Sequence, residues 1–114
     1  MAGQGSRDHA VLVKEILLAC GARPDCRIWT NNTGVGRALN HDGIIHFGLK
    51  GSADIIGILH SGKFLAIEVK TGEAKQSKEQ IAFMNMIRRF GGYYFLVRSV
   101  EDAVTAINSV AQTP

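Results

Sequence analysis

A chain of 114 residues that is 46% hydrophobic and 20% charged has the composition of one globular domain, and it is too short for two separate cores. Its formal net charge of +3 permits contact with phosphate backbones without requiring it. No apolar stretch approaches the roughly 18 residues of a membrane span, and the first residues lack the pattern of a secretory signal, so we expect no membrane role and a cytoplasmic location.

We treat residues 1–114 as a single domain in which 1–7 are flexible. The N-terminal half predicts a deeply packed helix over 8–20 and a short strand over 27–31. Residues 32–51 have few periodic apolar positions, apart from a possible strand at Ile44–Phe47. So long a connection inside a compact domain is more often functional than filler.

The second half has clearer signals. Residues 54–59 and Phe64–Val69 are β-rich runs separated by a His-Ser-Gly-Lys turn, which predicts a hairpin, and the second run is apolar on both faces, which places it inside the sheet. A helix over 77–90, a strand over Tyr93–Val97 and a helix over Val100–Val110 follow. The order α, β, β, β, α, β, α predicts an α/β fold with a mixed central sheet flanked by helices.

Charged residues occur at positions where the predicted sheet should be buried. Glu68 and Lys70 share a face at the end of the apolar run. If the hairpin has a three-residue loop with Gly62 in the left-handed conformation, Asp54 falls opposite Glu68 on that face. A two-residue loop would shift the register by one and send Asp54 to the other face.

Two carboxylates facing each other across a sheet destabilise it unless a cation or a proton lies between them. Hard oxygen ligands with no nearby cysteine, and with no histidine at ligand spacing in the sequence, favour Mg²⁺ or Mn²⁺ over zinc. With Lys70 alongside, this set of side chains is suited to phosphoryl chemistry. The alternative is an ordinary ion pair between Glu68 and Lys70 at the edge of the sheet, with Asp54 merely beginning a strand.

Two further polar residues lie among apolar neighbours. Glu15 is set within an apolar arc of the first helix, although a solvated position at the margin of the helix is equally compatible with the pattern. Gln80 aligns with Met84 and Ile87 on the buried face of its helix. It also fits a capping box that begins at Ser77, in which the Gln side chain turns back to the N-cap amide.

These residues together resemble a known family. Glu15, the Gly-Ser-Ala-Asp sequence that ends at Asp54, the Glu-Val-Lys sequence over 68–70, and Gln80 resemble the PD-(D/E)xK nuclease superfamily, and within it most closely the VRR-NUC (virus-type replication-repair nuclease) domain of the stand-alone phage and bacterial type. The resemblance covers about 8–99 and implies a restriction-endonuclease-like core. Ala53 departs from the pattern, because many members have proline there.

Residue by residue, the resemblance implies that Asp54 and Glu68 ligate Mg²⁺ or Mn²⁺, with the Val69 carbonyl as a third ligand. Lys70 would orient or activate the hydrolytic water, and Glu15 would reach the metal through water or hold a second ion. Gln80 would help to position the water or the scissile phosphate.

The implied activity is that of a DNA endonuclease acting on branched or structured DNA, such as a four-way junction or a flap, in replication, recombination or repair. We expect a homodimer, because so small a chain cannot grip much duplex alone. Candidate DNA contacts, each of which is also compatible with ordinary surface exposure or turn formation, are Arg37, Lys50, Lys75, Lys78, Asn32 and Thr33.

Three other classes of function fit the sequence less well. A nucleophilic hydrolase is not expected, because no Ser or Cys lies in a nucleophile elbow and the histidines fall in loops or at element ends; these are His9, His41, His46 and His60. A nucleotide cofactor is not expected, since Gly34-Val35-Gly36 lacks the third glycine of a dinucleotide-binding turn. A DNA-binding or assembly module that keeps the nuclease fold without cleaving is the more serious alternative. Intact Asp54, Glu68 and Lys70 argue against it, because buried charges cost stability.

Overall fold

Helices and strands alternate along the residues that the computed structural model describes, which are 4–32, 34–37 and 44–111, with side chains described over 8–32 and 48–111. The helices are α1 (Gln4–Cys20), α2 (Lys78–Arg89) and α3 (Val100–Val110). The strands are β1 (Cys26–Thr30), β2 (Gly34–Arg37), β3 (Ile44–Phe47), β4 (Ile55–Leu59), β5 (Phe64–Val69) and β6 (Tyr93–Val97). No helix in these ranges is long and apolar enough to cross a membrane.

The main sheet has the strand order β1–β4–β5–β6. Strand β4 pairs antiparallel with both β1 and β5, whereas β5 and β6 are parallel, as expected when a helix connects them. The predicted mixed sheet, with its elements in the order α, β, β, β, α, β, α, is therefore confirmed. The architecture is consistent with a restriction-endonuclease-like core.

The connection between β1 and β4 carries a ribbon of its own, in which β2 and β3 pair antiparallel. The possible strand at Ile44–Phe47 is confirmed, but β2 was not predicted, because two of its four residues are glycine and offer no side-chain pattern. At the N-terminus, α1 begins at Gln4, within the segment 1–7 that was expected to be flexible, and residues 1–3 lie outside the described part of the chain.

Each face of the sheet has its own apolar cluster. The face formed by Leu65, Ile67 and Val69 packs against α1 and α3, and the opposite face, which includes Ala66, packs against α2. The expectation that α1 packs deeply holds on one side only. Its other side is exposed, with Val11 at 55% and Leu18 at 79% of full exposure.

The turn between β4 and β5 fixes the register on which the site depends. Gly62 has φ +92°, in the left-handed region that favours glycine, and the Leu59 amide donates to the Lys63 carbonyl at 2.9 Å. Ile56 pairs with Ala66, as the three-residue loop requires. If this register is extended by one residue beyond β4, Asp54 lies opposite Glu68.

Candidate active site

Asp54 is held at the start of β4 by the strands on both sides. Its side-chain Oδ2 accepts a hydrogen bond from the Val69 amide at 2.9 Å, and its carbonyl accepts one from the Asn31 amide at 2.8 Å. The Asp54 carboxylate therefore lies at the end of β5, beside Glu68. This is the juxtaposition with Glu68 that the turn predicts.

Steric constraints explain the glycine at position 51, three residues before Asp54. Gly51 has φ +85°, and a Cβ added there would lie 2.5 Å from the Glu79 carbonyl carbon. A larger residue would strain the backbone and push this loop away from α2. Gly51 thus allows Asp54 and the first turn of α2 to approach the same point.

Glu68 is the buried charged residue of the described chain, at 2% of full exposure. Its Oε2 accepts a hydrogen bond from Gln80 Nε2 at 3.2 Å and pairs with Lys70 Nζ at 3.6 Å. Its Oε1 is buried and has no hydrogen-bond partner among the described residues. Burial, and secondarily the Asp54 carboxylate, raise the pKa of Glu68 to about 8, against the opposing effect of Lys70.

Gln80 closes the capping box that begins at Ser77 and also faces the site, as the two interpretations of the sequence predict. Its Oε1 accepts from the Ser77 amide at 2.8 Å, which closes the capping box, and from Lys70 Nζ at 2.8 Å. The amide nitrogen is then left to donate to Glu68. The helix cap therefore fixes the orientation in which Gln80 bridges the lysine and the carboxylate.

The segment between β5 and α2 is tied to the strand beside it. Arg98 donates to the carbonyls of Gly72 at 2.9 Å and Ala74 at 2.8 Å, and Gln76 Nε2 donates to the Tyr94 hydroxyl at 3.1 Å. These bonds hold the start of α2 against β6. Gln80 is placed relative to Lys70 by this anchoring as well as by its own cap.

On α1, His9 is the residue that contacts the carboxylate site: its Nε2 lies 3.3 Å from Asp54 Oδ2. The sequence interpretation missed it, because all four histidines were assigned to loops or element ends. A signal was present, since His9 extends the buried stripe of Val13, Ile16 and Cys20 at helical spacing.

Glu15 occupies a different side of α1. It is exposed and lies six residues after His9, about 240° around the helix. The apolar arc in which it was predicted to lie faces outward, as the exposure of Val11 and Leu18 indicates. The structure does not bring Glu15 to Asp54 and Glu68, and its role at a metal stays a prediction.

The candidate DNA contacts have different positions. Lys50, Lys75, Lys78 and Asn32 are exposed; Asn32 lines a cleft together with Asp54, and Lys50 lines a groove beside Glu79. Thr33 and the side chain of Arg37 lie outside what the structure describes. All of these contacts remain predictions.

The donors at the site suit a hard cation. Asp54 and Glu68 contribute two carboxylates. In the described ranges, no group of three His, Cys, Asp or Glu side chains is placed to hold a metal ion. Mg²⁺ is commonly held by one or two carboxylates, with water and substrate phosphate as its other ligands. Glu68 Oε1, which is buried and has no hydrogen-bond partner in the described part of the chain, would be a ligand of such an ion.

A comparison with protein families finds a match over residues 6–101 to the model described as VRR-NUC domain, which spans most of the 114-residue chain. A comparison with curated proteins finds no match.

The raised pKa of Glu68 predicts that the metal-free protein loses stability as pH rises. The unfolded chain releases this proton near pH 4.5, whereas the folded protein keeps it until about pH 8. Between these values the unfolded state binds fewer protons, so the free energy of unfolding falls by up to about 1.4 kcal/mol per pH unit. Urea denaturation in EDTA at several pH values from 5 to 8 measures this slope.

Glu68→Gln is the control, because it keeps the shape of the side chain and cannot ionise. Its free energy of unfolding should change less with pH over the same range. If the wild type and this variant show the same slope, Glu68 does not hold a proton in the folded protein.

Proposed function

The chain belongs to the VRR-NUC domain family, which is a family of nucleases, and we propose that it is a Mg²⁺- or Mn²⁺-dependent endonuclease that hydrolyses phosphodiester bonds in DNA. The observation that carries the proposal is the buried Glu68 carboxylate, which lies beside Asp54 and Lys70 and has one oxygen without a partner among the described residues. An ionised Glu68 with no ligand for that oxygen would destabilise the fold, and a bound cation would remove this cost.

Asp54 and Glu68 would hold the ion, with the Val69 carbonyl as a further ligand. When bound, the ion polarises a phosphate oxygen and lowers the pKa of water. The Val69 amide supports this role, because its bond to Asp54 Oδ2 orients the carboxylate and leaves Oδ1 for a ligand. His9 Nε2, at 3.3 Å from the same oxygen, has the same orienting effect.

Lys70 would act on the phosphate and the attacking water. In hydrolysis a bond forms between the water oxygen and phosphorus, one ester P–O bond breaks, the water loses a proton to solvent and the departing oxygen gains one. Negative charge accumulates on the phosphate oxygens, and the Lys70 ammonium, fixed at 2.8 Å from Gln80 Oε1, is available to stabilise it without first reorganising.

Gln80 would position the lysine and the water or scissile phosphate. Its amide is held by the helix cap on one side and by Glu68 on the other. A side chain locked in this way loses little entropy when substrate binds. For Glu15, the family resemblance implies a role through water or at a second ion.

We also propose that the substrate is branched or structured DNA, that the protein works in replication, recombination or repair in the cytoplasm, and that basic surface residues bind the DNA backbone. Exposed Lys75 and Lys78 flank the start of the helix that carries Gln80, which supports such contacts. Free, buried Cys20 and Cys26 are compatible with a reducing compartment.

Lys70→Ala should reduce cleavage about 100-fold or more, because it removes the fixed positive charge at the scissile phosphate. The measurement is cleavage of labelled linear, flap and four-way-junction DNA in Mn²⁺, with EDTA as the metal-free condition. Lys63→Ala is the matched control, since Lys63 is exposed and precedes the opposite end of the same strand.

Undiminished cleavage by Lys70→Ala, or cleavage that persists in EDTA, would contradict the proposed roles. Binding of DNA by the wild type without cleavage of any substrate would favour the alternative of a non-catalytic DNA-binding module.

We propose that the active form is a homodimer. A specific DNA interface buries about 1,000 to 2,500 Å² of protein, which is a large share of the 7459 Å² surface of this chain. Leu18 and Phe90, each 79% exposed, offer apolar surface for a second copy to cover. Light scattering at micromolar concentration should give twice the mass of the 12.3 kDa chain. A monomer with full activity under the same conditions would contradict the dimer.

A further inference from the structure

A cleft of about 300 Å³ opens beside Asp54, between α1 and the end of β1. We propose that it binds an unpaired nucleotide of the DNA strand next to the phosphate that is cut. This inference rests on the proposed nuclease function and names the feature of the substrate that the site selects. The cleft shares Asp54 and His9 with the carboxylate site. A nucleotide bound in the cleft would therefore be next to the reacting phosphate in the DNA strand.

The wall formed by α1 is apolar. Ala10, Val13 and Leu17 line it, and they recur at helical spacing on the same side of α1. A nucleobase has two apolar faces, and nucleobases taken out of a helix are held between aromatic or apolar side chains. This wall is therefore suited to one face of a base.

The opposite wall carries a fixed hydrogen-bond acceptor. Asn31 Nδ2 donates to Ser52 Oγ at 2.7 Å and to the Ala53 carbonyl at 2.9 Å. Ser52 Oγ itself donates to the Leu49 carbonyl at 2.6 Å, so it can only accept from Asn31, and the orientation of the amide is determined. Both amide hydrogens are used, and Oδ1, which has no partner among the described residues, is available to accept from the exocyclic amine of adenine, cytosine or guanine.

Positive charge at the cleft matches a phosphate. Lys14 is exposed and lines the cleft. A nucleotide with its base against α1 carries phosphates on both sides of its sugar. One of these would lie toward Asp54 and Lys70, and the other toward Lys14, whose ammonium would contribute to affinity in a salt-dependent way.

The size of the cleft favours a single nucleotide over paired DNA. A volume of about 300 Å³ is at the lower end of the range for small-ligand pockets and cannot admit a base pair. A paired base would have to unpair and leave its stack to enter the cleft, and the free-energy cost of this step is smallest for a base that is already unpaired. The cleft thus predicts cutting next to flaps, frayed ends or junction arms rather than within a continuous duplex.

Ala10→Phe tests the proposal by filling the cleft. Ala10 is exposed and lines the cleft, so the larger ring occupies its space without entering the core. Ala19→Phe is the matched control: it makes the same change at another exposed alanine of α1, nine residues and about 180° around the helix, outside the cleft. Circular dichroism checks that both variants fold.

The probe is a flap oligonucleotide with one unpaired 2-aminopurine at the junction, bound in Ca²⁺ without Mg²⁺ or Mn²⁺. We expect its emission to rise when the base leaves its neighbours and enters the cleft, with wild type and Ala19→Phe but not with Ala10→Phe. In Mn²⁺, the ratio of flap cleavage to continuous-duplex cleavage should be about ten-fold lower for Ala10→Phe than for wild type.

Lys14→Gln gives a second test that does not depend on packing. It should weaken binding of the flap and reduce the slope of log affinity against log salt by about 0.7, whereas Lys63→Gln, at the far end of the hairpin, should leave binding and slope unchanged.

Equal emission and equal flap preference for Ala10→Phe and Ala19→Phe would overturn the proposal for the cleft. If the wild type cleaves DNA in that case, the proposed nuclease function stands and only the subsite is wrong. If the wild type cleaves no DNA in Mn²⁺, the proposed function itself has failed.

Discussion

The burial of the Glu68 carboxyl group inside the sheet is the constraint on which the site depends. Glu68 lies inside the sheet, its pKa is raised to about 8, and one of its oxygens has no partner among the described residues. Asp54 adds a second carboxylate at the same place. Lys70 offsets one charge but does not reach the unpartnered oxygen. A cation between the two acids would remove both the repulsion and the unmet hydrogen-bonding need, which explains why a fold would keep such a pair.

Local backbone features bring these side chains together. The left-handed Gly62 sets the register that places Asp54 opposite Glu68, and Gly51 lets the same loop approach α2. The cap of α2 then fixes Gln80 against Lys70 and Glu68. The same residues that end or begin secondary structure therefore also build the polar site. A structural role for Gln80 and a role at the site are not alternatives here.

Local signals in the sequence predicted most of the sheet and its central pair. The turn at Gly62 has few solutions, and one of them implies that Asp54 faces Glu68. The side of α1 that faces the site was harder to predict, because that helix is apolar on several sides and helical periodicity alone cannot choose among them. Glu15 was assigned to an exposed side for this reason, whereas His9 was missed because it was treated as an element-end residue. The ribbon strand β2, half glycine, gave no pattern to detect.

The most direct test of the central claim is a calorimetric titration of the protein with Mn²⁺, because it measures ion binding without requiring a DNA substrate. Wild type should bind Mn²⁺ and Glu68→Gln should lose most of that affinity, since the amide removes one of the two charges that attract the ion. Lys70→Ala should bind at least as tightly as wild type, because it removes a competing positive charge. Equal Mn²⁺ affinity for wild type and Glu68→Gln would contradict a metal site between Asp54 and Glu68.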